Sequence, residues 1–172
     1  MSELIEVVGT TKEAKYESLI PQLNSLVEGE TDLIANLANI VSALKYGMNF
    51  FWVGIYFVKA SAIKSTDNQP QQELVLGPFQ GPVACTRIKF GKGVCGMAWQ
   101  KKQSLVVQDV NNFPGHIACS SESKSEIVVP CFNKNEVIAI LDIDSDKLND
   151  FDDIDKKNIE AIVKIIERIY VV

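Results

Sequence analysis

A long apolar run is missing from this sequence of 172 residues, and its absence argues against a membrane-spanning helix. A span needs roughly 18 consecutive apolar residues, whereas the longest apolar stretch, Val53–Val58 with its flanks, has the length of a β-strand. The beginning of the chain, Met1–Lys15, lacks the basic segment followed by an apolar segment that marks a secretory signal. We therefore expect neither a membrane span nor a signal.

Basic residues are too few for a protein that binds nucleic acid. The chain has 17 Lys and Arg against 22 Asp and Glu, a formal net charge of −5, whereas affinity for phosphates rests mainly on clustered basic side chains. The same balance argues against docking on an anionic membrane. Hydrophobic residues at 47% and charged residues at 23% are typical of a globular protein. The length favours a single domain, residues 1–172.

The sequence also lacks a Cys-x-x-Cys pair and has only one histidine. Zinc sites usually contain close ligand pairs, and His116 with Cys119 is the one candidate, so we expect no metal site. The same two residues could instead form a Cys–His acyl-transfer pair. Four cysteines without a signal are typical of a reducing compartment, where cysteines are more often catalytic or redox-active than structural. We therefore expect a cytoplasmic protein.

Apolar residues at helical spacing predict two helices at about 13–47. The first covers Ala14–Leu26, with its leucines on one face. The second is predicted to be capped by Thr31 and to end at Gly47, because Thr accepts backbone N–H groups and Gly adopts left-handed conformations readily.

A sheet and its loops are expected at about 49–145. Asn49–Val58 is aromatic and β-branched, which predicts a strand buried on both faces. Ala60–Gln72 is polar and predicts a hairpin loop, followed by a short strand at Glu73–Leu76. Gly77–Gly96 is rich in glycine and proline, which predicts a mostly irregular segment.

The second half of the chain predicts three more strands and two helices. The strands are expected at Leu105–Gln108, Ile127–Phe132 and Glu136–Asp144, and the last two alternate around a turn as a hairpin does. A short helix is expected at about Gly93–Lys101, and a closing helix at about 152–170. The predicted fold class is α+β, with five or six mostly antiparallel strands.

Three of the four cysteines, Cys85, Cys95 and Cys119, lie in long glycine-rich connections, where functional residues concentrate. Cys95 is near a predicted helix N-terminus, which favours a thiolate. The alternative is that cysteines are small buried hydrophobes, and we prefer it for Cys131, which lies inside an apolar strand.

A group of carboxylates forms a second candidate site. Asp142 and Asp144 are two residues apart on one predicted strand, so both side chains lie on the same face. Glu126 begins the neighbouring strand and could lie beside them, although a solvated sheet face would also explain these residues. Trp52 and Tyr56 share a face of the first strand and could form an aromatic wall above Gly54, or simply pack in the core.

With these residues in view, five segments of the chain resemble the free methionine-(R)-sulfoxide reductases, a family built on the GAF fold. The resemblance extends from about Trp52 through the last helix. The segments are Gly77–Gly81, Phe90–Gly96, Pro114–Cys119, Ser125–Pro130 and Leu141–Ser145.

The resemblance implies a six-stranded antiparallel sheet, with helices on one face and a loop-covered pocket on the other. It also implies the substrate, free methionine-(R)-sulfoxide, and chemistry without a metal or organic cofactor. Cys119 matches the family's nucleophile, Cys85 the resolving cysteine and Cys95 the third cysteine, which in some members is taken as the attacking residue. One departure is Ser120, where the family usually has Asp.

The resemblance assigns the pocket as well as the cysteines. Glu126, Asp142 and Asp144 match its acidic residues, and Trp52 and Tyr56 match its aromatic residues. In the implied reaction a thiolate attacks the sulfoxide sulfur, a second thiol condenses the sulfenic acid to a disulfide, and thioredoxin restores the thiols. A homodimer is also plausible by resemblance.

Two other functions stay open at this point, because a fold does not determine a function. GAF domains are commonly sensors of small ligands, but such sensors usually accompany an output domain, for which this chain has little room. A thiol redox sensor without a substrate would use the cysteines and leave the acidic residues unexplained.

Overall fold

A computed structural model describes residues 5–61, 72–115 and 120–170 and contains one six-stranded antiparallel sheet. The strands pair in the order β3-β2-β1-β6-β5-β4. This confirms the predicted α+β fold with an antiparallel sheet. The strands are β1 (Trp52–Ala60), β2 (Gln72–Gln80), β3 (Arg87–Lys89), β4 (Leu105–Val107), β5 (Ser125–Asn133) and β6 (Glu136–Ser145).

Four α-helices are present in the described ranges, in the positions that helical spacing predicts. They are α1 (Lys12–Leu26), α2 (Leu33–Met48), α3 (Gly93–Lys101) and α4 (Asp153–Tyr170). The predicted limits of α2 were wrong by one or two residues. Its N-cap is Asp32, whose carboxylate accepts the N–H of Ala35, and its C-cap is Asn49, which takes the left-handed conformation that Gly47 was expected to provide.

One face of the sheet packs against α2 and α4, and α1 packs on these two helices; the larger core lies among them. Because successive side chains of a strand lie on opposite faces of the sheet, alternate residues of β1, β5 and β6 lie on this face, among them Ile55, Leu141 and Ile143. Cys131 is fully buried here, as its apolar strand predicts. Burial raises the pKa of its thiol well above the usual range, so Cys131 is an unreactive core residue.

The first and last long helices are joined by a buried polar contact. The Tyr16 hydroxyl donates to Oδ1 of Asp155 at 2.8 Å, and the Lys12 ammonium pairs with the same carboxylate. Asp155 is 1% exposed and also accepts the backbone N–H of Asp152. These contacts compensate the negative charge of Asp155 and hold α1 against the start of α4.

The opposite face of the sheet is covered by α3 and by the loops around it. A second apolar cluster lies here, and its members include Trp52, Tyr56, Cys95 and Trp99. The prediction of helices on one face therefore holds for α1, α2 and α4, whereas α3 lies on the pocket side.

The glycine-rich segment is more regular than its composition predicts. β2 continues through Gly77 and Pro78, and the register with β1 shifts there, between the pairs Tyr56–Leu76 and Gly54–Phe79. A β-bulge accepts glycine and proline because it does not need every ladder hydrogen bond. Most of the predicted loop Ala60–Gln72 lies outside the described residues. No helix in the described ranges is long and apolar enough to cross a membrane.

Candidate active site

Strand register brings the three predicted acidic residues together on the pocket face. Asp144 of β6 lies between Trp52 of β1 and Glu126 of β5, and Asp142 lies one row further along, opposite Gly54. Directly paired residues of neighbouring antiparallel strands have Cβ atoms about 4.5–5.5 Å apart. The carboxyl groups of two strands therefore converge at one point above the sheet.

These residues line a small cavity between the sheet, α3 and the two long connections. Its volume is about 40 Å³. None of the described residues that line it is Lys, Arg or His. The lining residues are Phe51, Trp52, Tyr56, Val83, Ala84, Ile88, Gly93, Val94, Cys95, Ser120, Ser123, Glu126, Asp142 and Asp144.

The three carboxyl groups have raised pKa values chiefly because burial disfavours their charged forms. Burial is the larger cause for Glu126 and Asp144, followed by repulsion from Asp142, and both pKa values lie well above the ordinary range. Burial also raises the pKa of Asp142, to about 6, while contacts with Cys95 and Glu126 oppose the rise. These carboxyl groups therefore keep their protons to higher pH than exposed carboxyl groups do.

Cys95 is at the start of α3, as predicted, but the prediction of a thiolate there is wrong. Its side chain is 3% exposed, and Sγ lies 3.9 Å from Oε1 of Glu126. Burial raises the pKa of the thiol well above its usual value, and repulsion from Asp142 and Glu126 raises it further. The helix N-terminus favours an anion, but removal from water beside two acids outweighs it.

The aromatic residues form one wall and also hold the loop that carries Cys85. Trp52 stacks on Phe79 with ring centroids 5.6 Å apart and on Tyr56 at 6.2 Å. The Trp52 ring itself covers Gly54 and leaves no space above it, since a Cβ there would overlap that ring and lie 2.8 Å from Cβ of Phe79. The hydroxyl of Tyr56 donates to the carbonyl oxygen of Cys85 at 3.0 Å.

The three candidate redox cysteines differ in what the structure describes of them. Cys85 is half-buried between β2 and β3 and is disulfide-bonded, whereas Cys95 and Cys131 carry free thiols. Cys119 and His116 lie outside the described residues. The pocket acids and aromatic residues are thus brought together, and the loop of Cys85 borders the same cavity through Val83 and Ala84.

Comparison with known proteins identifies the family. The GAF domain family matches residues 29–169. Free methionine-R-sulfoxide reductase of Escherichia coli (strain K12) is 41% identical over 156 residues, which cover 90% of this chain and 87% of that protein. The Saccharomyces cerevisiae protein of the same name is 39% identical over 163 residues, covering 91% and 86%. The chain belongs to the free methionine-R-sulfoxide reductase family of GAF domains.

Solved structures of this reductase family have the same fold. The X-ray structure of free methionine-R-sulfoxide reductase from Neisseria meningitidis, in complex with its substrate, matches with a TM-score of 0.88 at 47% identity, covering 97% of this chain and 95% of that chain. The reduced form of fRMsr from Staphylococcus aureus matches with a TM-score of 0.82 at 45% identity, covering 94% and 99%.

Sequence reasoning missed one polar member of this reductase-family site. Ser123 is buried at the cavity wall, and its hydroxyl hydrogen-bonds the carboxyl group of Asp144, which lowers the pKa of that group against the larger effect of burial. The residue lies in the long connection before β5, where nothing in the local pattern distinguishes it from the neighbouring serines. Only the fold shows which serine faces the acid.

Replacing Asp142 is expected to stabilise the substrate-free protein. The folded pKa of about 6 exceeds the ordinary 3.8, so the folded state holds more protons between these values and stability falls as pH rises through that window. Above pH 6 the folded protein bears the full free-energy cost of ionising the buried Asp142 carboxyl group. Asp142→Asn cannot ionise and should raise the free energy of unfolding near pH 7 by on the order of 1–3 kcal/mol.

Urea unfolding of both proteins at about pH 4 and pH 7 measures this effect. The increase in the free energy of unfolding of Asp142→Asn over the parent should be present at pH 7 and small at pH 4. Asp146→Asn is the matched control, because it removes the same charge from an exposed position. A variant that is less stable than the parent at pH 7 would contradict the prediction.

Proposed function

We propose that the chain reduces free methionine-(R)-sulfoxide to methionine with its own cysteine thiols. The observation that carries the proposal is the acidic cluster of buried Glu126 and Asp142 with half-buried Asp144, which lines a cavity with no basic side chain among its described residues. Such a cavity favours a cationic occupant, because a cation stabilises the ionised forms of these acids, and a free amino acid supplies an ammonium group. Related reductases of 39% and 41% identity are named for this substrate.

The proposed first step is nucleophilic attack on the sulfoxide sulfur by Cys119. The sulfoxide oxygen takes up one proton as the Cys119 thiolate approaches the sulfur, the S–O bond to methionine breaks and an S–O bond to Cys119 forms, so that methionine leaves and Cys119 carries a sulfenic acid. Glu126 is the proposed proton donor, because burial raises its pKa and so favours the protonated form that can give up a proton to the oxygen. Thiol and sulfoxide thus become sulfenic acid and thioether, with no metal or organic cofactor.

The proposed second step joins Cys85 to the sulfenic acid of Cys119 and releases water. Cys85 is disulfide-bonded while Cys95 and Cys131 are free, which supports Cys119, the fourth cysteine of the sequence, as its partner. The tether from Tyr56 to the Cys85 carbonyl favours this role, because it fixes the loop that must meet the sulfenic acid. A dithiol donor such as thioredoxin then reduces the disulfide by exchange.

The remaining pocket groups are proposed to recognise the substrate. Asp142 and Asp144 pair with the α-ammonium group, which relieves the repulsion between buried carboxylates. Trp52 and Tyr56 receive the apolar S-methyl end, since their rings form the wall next to the acids.

The test is turnover with purified protein, thioredoxin, thioredoxin reductase and NADPH. We expect NADPH oxidation with the free R sulfoxide and little with the S epimer. A non-catalytic ligand sensor would bind methionine sulfoxide without consuming NADPH. A thiol sensor without a substrate would be oxidised by peroxide and would neither bind nor reduce the sulfoxide. Either of these results would overturn the proposal.

Cys85→Ser is expected to separate attack from recycling. The variant should release about one methionine per enzyme and then stop with thioredoxin, because the sulfenic acid has no resolving thiol. The measurement is methionine released in a rapid-quench experiment before any reductant is added. Cys131→Ala is the control, since that thiol is buried on the other sheet face, and it should keep multiple turnover. Absence of any released methionine in Cys85→Ser would mean that Cys85 takes part in the attack.

A further inference from the structure

Three side chains in the cavity have ligand atoms close enough to bind one metal ion. Sγ of Cys95 and one carboxylate oxygen each of Glu126 and Asp142 all lie within 4.8 Å of one another. Bonds of about 2.3 Å to sulfur and 2.1 Å to oxygen at a tetrahedral angle place those two atoms about 3.6 Å apart. The observed distance from Sγ to Oε1 of Glu126 is 3.9 Å, so this pair is already close to the separation that one ion requires.

An unpartnered atom points independently to a missing ligand. Oδ1 of Asp142 is buried and has no hydrogen-bond partner, and it is the only buried side-chain nitrogen or oxygen atom in the described ranges for which this holds. The residue is 6% exposed and lines the cavity. A buried acceptor without a partner costs about 1–3 kcal/mol, more when it is charged. This oxygen is therefore available to a cation in the cavity.

The size and charge of the cavity suit a small dehydrated cation. Its volume of about 40 Å³ exceeds the 10–15 Å³ or so that one water needs, which leaves room for an ion with one or two waters. The described lining has no basic side chain to compete for the acids. The spacing of cysteine and histidine in the sequence did not predict this set, because two of its ligands are carboxylates from different strands.

We propose that Cys95, Glu126 and Asp142 form a Zn²⁺ site in which the ion excludes the substrate. One thiolate with two carboxylates suits Zn²⁺ and the softer Cd²⁺ and does not suit Mg²⁺, which avoids sulfur. Binding releases the thiol proton of Cys95 and any proton that Glu126 or Asp142 holds, because bonds to the metal require the thiolate and the carboxylates. Zn²⁺ is then an inhibitor that occupies the position proposed for the substrate ammonium.

The test uses Cys85→Ser/Cys119→Ser as the parent, so that these two thiols cannot bind the metal themselves. Calorimetric titration with Zn²⁺ should show one ion per chain, and titration with Mg²⁺ should show none. Cd²⁺ should give the ultraviolet charge-transfer absorption of a single cadmium–thiolate bond. Adding Cys95→Ser should abolish the absorption, and adding Cys95→Ser or Asp142→Asn should each weaken Zn²⁺ binding by at least about tenfold.

Cys131→Ala in the same parent is the matched control, because it removes a buried thiol that does not line the cavity. It should leave the affinity for Zn²⁺ and the Cd²⁺ absorption unchanged. Zn²⁺ binding that is indifferent to Cys95→Ser, or Cd²⁺ absorption that follows Cys131 instead, would overturn the proposal.

Competition between Zn²⁺ and the sulfoxide tests whether the ion occupies the substrate pocket. Because the parent lacks the proposed nucleophile, binding of free methionine-(R)-sulfoxide can be measured without turnover, and saturating Zn²⁺ should abolish it. If Zn²⁺ binds as expected and no sulfoxide binds in its absence, the metal site stands and the proposed function fails. If the sulfoxide and Zn²⁺ bind together, the exclusion of substrate by the ion is wrong.

Discussion

Cys119→Ser is expected to reduce multiple turnover by about a thousandfold or more, the largest loss of any single cysteine variant. Serine keeps the size of the side chain but not the thiolate, which is the attacking species and which carries the oxygen away from the sulfoxide. The measurement is NADPH oxidation with thioredoxin and its reductase over many turnovers.

The other thiols are poor substitutes for Cys119. Cys131 is buried on the helix side of the sheet, where no substrate arrives. Cys95 borders the cavity, but burial beside Asp142 and Glu126 raises its thiol pKa well above the usual value, so almost none is thiolate at neutral pH. The backbone of Cys85 is held in place, because the Tyr56 hydroxyl donates a hydrogen bond to its carbonyl oxygen.

Cys95→Ser is the informative comparison for this prediction. Serine can donate a hydrogen bond to Glu126 as the thiol does, so this variant should keep at least part of the first turnover. If Cys119→Ser retains multiple turnover and Cys95→Ser loses the methionine burst, the nucleophile is Cys95 and the assignment is reversed.

The fold was largely predictable because its pattern is local. Asn49–Val58 predicted a strand buried on both faces, and β1 is buried there by the helices on one side and the pocket cluster on the other. The length of β2 was not predictable, because Gly77 and Pro78 normally end a strand and here coincide with a bulge. The bulge depends on the pairing of β2 with β1, which cannot be deduced from the residues next to Gly77 and Pro78 in the sequence.

The site could be predicted only where the two-residue period of a strand determines the face on which a side chain lies. Asp142 and Asp144 share a face because they are two residues apart, and the structure places both at the cavity. The position of Glu126 opposite Asp144 depends on the register of β5 with β6. The expectation that Cys95 is a thiolate was wrong, because burial raises the pKa of its thiol, and so do two carboxyl groups on strands more than 30 residues away in the chain.

Free methionine-(R)-sulfoxide is expected to be reduced far more efficiently than its N-acetyl derivative. Acetylation removes the ammonium group and leaves Asp142 and Asp144 facing each other without a cation, in a cavity that has no basic side chain among its described residues. Removing one partner of a buried charge pair costs about 3–5 kcal/mol. This corresponds to a loss of a few hundred-fold or more in kcat/KM.

The pH dependence of this preference tests its electrostatic origin. The pKa of Asp142 is about 6 without a cation, so at about pH 5.5 the carboxyl group can take up a proton at little cost, whereas at about pH 8 it cannot. The preference for the free amino acid should therefore shrink as pH falls through 6. Asp142→Asn should reduce kcat/KM for the free amino acid far more than for the acetyl derivative, with Asp146→Asn as the exposed control. Equal rates on both substrates across this pH range would show that these acids do not recognise an amine.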